Sequence, residues 1–413
     1  MDETRGILHG IRVVEIASYI AGPAAATVMA DFGADVVKVE PPNGGDPYRA
    51  LYRLTALPVC ELNYAWLLDG RNKRSLALDL KREEGREVLL ELVRGADVFL
   101  TNQHASVLQA LRLSYPELAP VNPRLVYAHM TGYGAEGPEA EKPGYDATAW
   151  WARSGLMDCV RPGDQEPAIS TAGMGDHPTS MALFGAILLA LYARERTGRG
   201  AHVSSSLLAN GLWANGVLTQ AMLCDATPFQ RIARERAPNA LINQYRTRDG
   251  RWFLLALVQG EKDWERFCRA IGRPELAVDP RFATNEARRE HARELVTILD
   301  GVFAERDFDD WRKRLDDFGV TFGTVTRLSD LRDDPQVRAN RMLVPIEGSP
   351  VPGLETVDSP IHLHGAVKRP ARVAPEIGEH TREVLRELGY PAARIDALLA
   401  SGAAATAEPG GAA

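Results

Sequence analysis

A repeated alternation over the first third of the chain does most to limit its fold. IRVVEIAS (11–18) is short, β-branched and apolar at most positions, as a strand covered on both faces must be. AGPAAATVMADFGA (21–34) follows with small and apolar residues at helical spacing and closes near a glycine. DVVKVEPP (35–42) is a second strand stopped by prolines, and RSLALDL (74–80) a third. The amphipathic KREEGREVLLELVRGA (81–96) leads into DVFLTN (97–102), a further helix lies in SVLQALRLSYPELAPVNP, and RLVYAHMTGYG (124–134) is another strand. Strands alternating with helices predict βαβ units on a parallel sheet, an α/β fold.

The pattern then changes. NQYRTRDGRWFLLALV (243–258) reads as a hairpin turning at Asp249-Gly250, and helices are predicted near 260–271, 287–304 and 307–318. A chain of 413 residues exceeds one ordinary core. The reading is a large domain over 1–210, a linker over 211–227 and a small α+β domain over 228–330. A linker and return to the large domain follow over 331–400, and 401–413 is expected to be a disordered tail.

Composition narrows the function. The formal net charge of -7 argues against nucleic acid as a partner. The polar start MDETRGILHG lacks a signal-peptide core, and no apolar run reaches the roughly eighteen residues of a membrane span. Cys60, Cys159, Cys224 and Cys268 are far apart, so reduced thiols in a cytoplasmic protein are expected rather than disulfides or zinc. Neither HExxH nor GxSxG occurs, which leaves a catalytic metal and a serine elbow unsupported.

Several stretches could carry chemistry. The first βα turn has only Gly22-Pro23 where a dinucleotide turn needs GxGxxG, which counts against a dehydrogenase. Arg71, Lys73 and Arg74 precede a strand and could meet phosphates or simply form a solvated surface. MTGYGAEGP (130–138) is a glycine-rich loop at a strand's C-terminal end, where ligands of such sheets bind. Asp146 opens a helix backed by Trp150 and Trp151, and its plain reading is an N-cap. Asp176, in MGDHPTSM, reads by itself as the N-cap of the apolar helix that follows. It also suits a nucleophile: the helix dipole would keep it ionised, Gly173 and Gly175 would admit a bulky substrate, and first-turn amides could hold an oxyanion.

Four segments, in order, resemble the class III CoA-transferases (formyl-CoA, carnitine and related acyl-CoA transferases), a superfamily that includes α-methylacyl-CoA racemases. They are GIRVVEIASYIAGPAAATVMADFGADVVKVEPPNGGDPYR, NKRSLALDLK, the run from GYDATAWWARSGLM through GDHPTSMALFGAILLALYARERTGRGAHV, and PEIGEHTREVLRELGY. The resemblance implies that Asp176 attacks an acyl-CoA thioester, with acyl-aspartyl anhydride and enzyme–CoA thioester intermediates, and that acyl-CoA and a carboxylic acid are the substrates. No permanently bound cofactor is implied. It also implies a Rossmann-like large domain built from both chain ends, a small domain between them, and an interlocked homodimer. By position, CoA contacts fall on Ser18, Tyr19, Ile20 and Ala21, on Asn72, Lys73 and Arg74, on Asn102 and His104, on Gly132, Tyr133 and Gly134, and on Tyr145 and Asp146.

The chain departs from the family pattern at several places. His104 stands where many members have a phosphate-binding arginine, and Pro41-Pro42 stands where some have an arginine after the residue matching Glu40. Ile20 replaces the glutamine of formyl-CoA transferases, whose tetraglycine loop is also missing, so oxalate chemistry is disfavoured. The alternative within the superfamily is a racemase or epimerase. Those enzymes place a histidine where this chain has Tyr145, a poor base near neutral pH. A scaffold that merely binds acyl-CoA is the non-enzymatic reading, against which the intact Gly175-Asp176 pair stands.

Overall fold

The computed structural model describes residues 6–161, 163, 165–228 and 232–407. The chain divides into two compact units: residues 1–157, 169–224 and 336–413 form one, and residues 158–168 and 225–335 the other.

In the first unit the strands β1 (Arg12–Ile16), β2 (Asp35–Glu40), β3 (Arg74–Leu78), β4 (Val98–Thr101), β5 (Val126–Thr131) and β6 (Ala201–Ser206) are all parallel. They lie in the order β3-β2-β1-β4-β5-β6. The order reverses between β1 and β4, and at such a switch point the loops leaving the two strands diverge and open a crevice.

The helices of this unit begin with α1 (Ala21–Asp31), α2 (Tyr64–Asp69), α3 (Glu83–Arg94), α4 (Ala105–Ala110) and α5 (Tyr115–Leu118). After α6 (Leu156–Val160), whose last three residues belong to the other unit, come α7 (Asp176–Thr197), α8 (Leu207–Ala214) and α9 (Gly216–Leu223). Every residue of α1 is buried, because its alanines and glycine let it lie between the sheet and α7 without steric cost. One apolar core forms on this face of the sheet, and a second, with α3 and the C-terminal helices, on the other. Together they make the doubly wound α/β arrangement that the alternation predicts.

The second unit has the antiparallel strands β7 (Ile242–Arg246), β8 (Trp252–Ala256) and β9 (Phe322–Thr324), with the predicted hairpin joining the first two. Around them pack α10 (Gly260–Ala270), α11 (Asn285–Glu290), α12 (Ala292–Phe303) and α13 (Phe308–Asp317). The single helix expected over 287–304 is thus two helices that meet at His291.

Later, β10 (Leu343–Glu347), β11 (Glu355–Val357) and β12 (Ala371–Arg372) make a small sheet. The last strand, β13 (Ala404–Ala405), pairs antiparallel with β3.

Three boundaries differ from the sequence reading. Residues 158–168 leave the large unit for the smaller one, and the expected linker over 211–227 is largely α8 and α9. The expected disordered tail from 401 instead contributes the buried Ala403 and Ala404 to the second core, because β3 offers a free edge there; residues 408–413 lie outside the described residues. Among the described residues no helix is long and apolar enough to cross a membrane.

Candidate active site

The crevice predicted by the sheet order is present. A cavity of about 630 Å³ is lined by Ser18, Tyr19, Ile20 and Ala21 after β1, by Asn102, Gln103 and His104 after β4, and by Thr131 and Gly132 at the end of β5. Two of these loops are stitched together across the switch point. The Ser18 N–H donates to Asn102 Oδ1 at 2.9 Å, and Asn102 Nδ2 donates back to the Ser18 carbonyl at 2.7 Å.

Tyr19 adopts a φ of 64°, a left-handed conformation that a residue with a Cβ rarely takes. Its N–H donates to Asp46 Oδ1 at 3.1 Å. Behind that bond is a buried charge network. Lys38 Nζ pairs with Asp46 Oδ2 at 2.8 Å and Glu15 Oε1 at 2.7 Å, Lys73 Nζ pairs with Glu15 Oε2 at 2.8 Å, and Arg49 is bidentate to Glu40. The Asp46 N–H donates to Glu40 Oε2 at 3.0 Å, which ties the last pair in. Three cations face three carboxylates, so the cluster is neutral as a whole and can be buried. Strain at Tyr19 is carried by this scaffold, and the ring meets Tyr145 edge-on, 5.7 Å between centroids.

Asp176 lines the same cavity and is half-buried. It is the first residue of α7, not its cap; Gly175 takes that place. Gly175 is required because a Cβ there would lie 2.5 Å from the Trp150 ring, and Trp150 stacks on Trp151 inside the core. The expected supply of free amides is smaller than the sequence suggests. The N–H groups of His177 and Thr179 donate to the Gly173 and Gly175 carbonyls, Gly175 N–H points to Asp146 Oδ2 at 3.4 Å, and Pro178 has none.

Nor is Asp176 held readily ionised, as the helix-start argument predicts. Burial, then the nearby Asp146 and Asp69 carboxylates, push its pKa up to about 7, against an opposing pull from His177. Helix-terminus stabilisation is worth only about 0.3–1 kcal/mol at an exposed site, so desolvation and like charge win.

The other predicted residues divide. Ser18, Tyr19, Ile20, Ala21, Asn102, His104, Gly132 and Tyr145 line the cavity with Asp176. Tyr133 and Gly134 flank the wall instead; a Cβ on Gly144 would lie 2.8 Å from the Tyr133 ring, and Gly134 turns the loop at φ 113°. Asp146 is buried and is likewise no N-cap, since Tyr145 precedes it as the cap.

The cluster Asn72, Lys73 and Arg74 is used for structure. Lys73 is buried against Glu15 and the Pro23 carbonyl, where no phosphate can reach it. Arg74 spans Asp35, Glu383 and Glu387. Asn72, at φ 63°, bonds Asp31 and the Arg372 N–H. The reason is topological: these residues lead into the N-terminal end of β3, and the ligand crevice opens at the C-terminal ends of the strands. Asp69 and Tyr48 carry no signal in the sequence. They sit in the core, and Tyr48 donates its hydroxyl to Asp69 Oδ2 at 2.6 Å.

A doubly wound sheet with a carboxylate after two glycines over its switch point defines a class of site in which a backbone-lined crevice meets an accessible carboxyl group. Residues 8–381 match CoA-transferase family III, and the chain belongs to that family. It is 32% identical to the (R)-2-hydroxy-4-methylpentanoate CoA-transferase of Clostridioides difficile, over 94% of this chain and 97% of that one. It is also 32% identical to the cinnamoyl-CoA:phenyllactate CoA-transferase of Clostridium sporogenes, over 96% and 97%. Among solved structures it resembles a CAIB/BAIF family protein from Brucella suis, with a TM-score of 0.83 and 30% identity over 93% of this chain and 100% of that one. The protein is therefore an enzyme of the CoA-transferase class.

Proposed function

We propose that the enzyme moves CoA from an acyl-CoA donor to a free carboxylic acid, with Asp176 as the covalent carrier. An Asp176 oxygen attacks the thioester carbonyl carbon; the C–S bond breaks and CoA thiolate departs, leaving an acyl-aspartyl anhydride. The thiolate attacks the aspartyl carbonyl and releases the donor acid, leaving an aspartyl–CoA thioester. The acceptor carboxylate attacks that thioester and forms a second anhydride. The returning thiolate attacks the acceptor's acyl carbon, releasing the new acyl-CoA and restoring Asp176. Two thioesters are broken and two are made, with no water consumed and no redox change.

The observation that carries this reading is the placement of Asp176, just after Gly173 and Gly175, in an open cavity at the C-terminal ends of β1, β4 and β5. Ser18, Tyr19, Ile20, Ala21, Asn102, His104, Gly132 and Tyr145 form the channel for the thioester arm. Relatives named for hydroxy, aryl and dicarboxylic acids support a carboxylic acid as the acceptor class. Borohydride trapping tests the carrier: with acyl-CoA alone, mass spectrometry is expected to find the reduced residue at Asp176. An enzyme that transfers CoA while that peptide stays unmodified would sink the proposal. In heavy water the α-carbon is expected to gain no deuterium, which separates transfer from racemisation.

The attacking oxygen must be deprotonated. With the Asp176 pKa at about 7, kcat/KM is expected to fall about tenfold per unit below that pH and to level off above it. A profile flat down to pH 5 would show that ionisation of this group does not limit the reaction.

The proposal includes a homodimer. Trp213, Val217 and Leu223 on α8 and α9, and Leu189 and Tyr192 on α7, are large apolar side chains left exposed on a single chain, a surface suited to a second copy. Light scattering is expected to give about twice the 45.2 kDa chain mass, and Trp213→Asp to lower it. A monomer at micromolar concentration would remove this part. A cytoplasmic location fits the exposed thiols Cys60 and Cys224.

A further inference from the structure

Next to the proposed nucleophile is a side chain that the transfer steps do not use. His177 Nδ1 is 3.1 Å from the Gly173 carbonyl oxygen, and Nε2 is 3.2 Å from Asp69 Oδ1. A neutral imidazole has one N–H and one lone pair, so against two acceptors it leaves one contact unsatisfied; the imidazolium has two donors and satisfies both.

The surroundings are arranged around these contacts. Asp69 is buried at the end of α2, and its other oxygen accepts the Tyr48 hydroxyl at 2.6 Å. The Tyr48 N–H donates to Asp46 Oδ1, the same oxygen that receives the Tyr19 N–H. Gly173 sits at φ 79°, and a Cβ there would come within 2.9 Å of His177 Nδ1. A glycine is thus needed both for the backbone and for the approach of the ring.

The geometry points to His177 as a positioning residue: a doubly protonated imidazolium, held by Asp69 and Gly173, that fixes the first turn of α7 and favours the charged, attacking form of the Asp176 carboxylate against its acidic neighbours. This rests on the reading of Asp176 as the nucleophile.

The charges that bear on the two groups agree. Asp146 and Asp69 favour a proton on Asp176, as burial does, and His177 opposes them; Tyr48 is the further titratable group facing Asp176. Burial works against the proton on His177, but the Asp69 bond and charge, the Gly173 carbonyl and Asp176 outweigh it and raise its pKa. Without that cation Asp176 would face two carboxylates unopposed.

Two measurements test the assignment. The first is ¹⁵N–¹H correlation spectroscopy of the wild-type imidazoles, with His177 assigned by its loss in His177→Gln. At pH 7 an ordinary histidine is about one-quarter protonated, and more than half of His177 is expected to carry both protons. A ring mostly neutral at pH 7 overturns the proposal, whether or not the variant folds. The second is the pH profile of His177→Gln, checked for folding by its melting curve. The midpoint of kcat/KM is expected to rise by about one unit, so that the variant loses about tenfold more at pH 6 than at pH 9. A folded variant with a uniform loss and an unmoved midpoint also overturns it. Should Asp176→Asn keep its transfer activity, the nucleophile reading fails, whereas the proton count on His177 still stands or falls by the spectrum.

Discussion

Asp176→Asn is expected to lose CoA transfer by at least about a thousandfold and yet to be more stable than the wild type above pH 7. The loss follows because an amide can form neither the anhydride nor the enzyme thioester. The gain follows from the raised pKa. The folded protein holds a proton on Asp176 up to about pH 7, whereas the unfolded chain releases it near the ordinary value of 3.8. Between those values the folded state binds more protons, so the stability from this group is full below the lower pH and is lost as pH rises through about 7. After allowance for the half-exposed setting, the ionised carboxylate costs about 1–4 kcal/mol, which asparagine removes. Urea unfolding at pH 8 and pH 4 reads it: the variant is expected to be ahead at pH 8 and level at pH 4. A variant no more stable at pH 8 would mean that the carboxylate is comfortably solvated, and an active variant would remove Asp176 from the mechanism.

Lys73→Met is expected to destabilise the fold by about 3–5 kcal/mol while leaving the KM for CoA esters of the folded fraction unchanged. Lys73 is one of three cations balancing three carboxylates in the buried network, and its loss leaves two cations against three carboxylates, with Glu15 and Asp46 sharing Lys38 and Glu15 Oε2 stripped of its ion-pair partner. Adding Glu15→Gln removes that charge, so the double variant should recover part of the loss, a coupling that a double-mutant cycle measures. A raised KM with undiminished stability would instead return Lys73 to the phosphate-binding role that its sequence position suggests.

Much of this protein is legible in its sequence because some of its signals are local. A β-branched run such as RVVEI needs no distant partner to be recognised as a strand, nor Asp249-Gly250 to be recognised as a turn. The glycines just before Asp176 and the apolar run after it mark a helix that presents a carboxylate. What stayed hidden depends on pairings far along the chain. β6 is polar, AHVSSS, and exists because β5 offers it six paired residues; β13 exists because β3 has an open edge.

Periodicity, and motifs whose residues are neighbours in the chain, are enough for the class of fold, the family and the candidate carboxylate. What each charge is for emerges only once the chain is folded. Folding sends Lys73 into the core, gives Asp176 a pKa of about 7, and brings Asp69, 108 residues from His177, against its ring. The energy of a charge is set by burial and by its partners, and neither can be read from a residue's position in the chain.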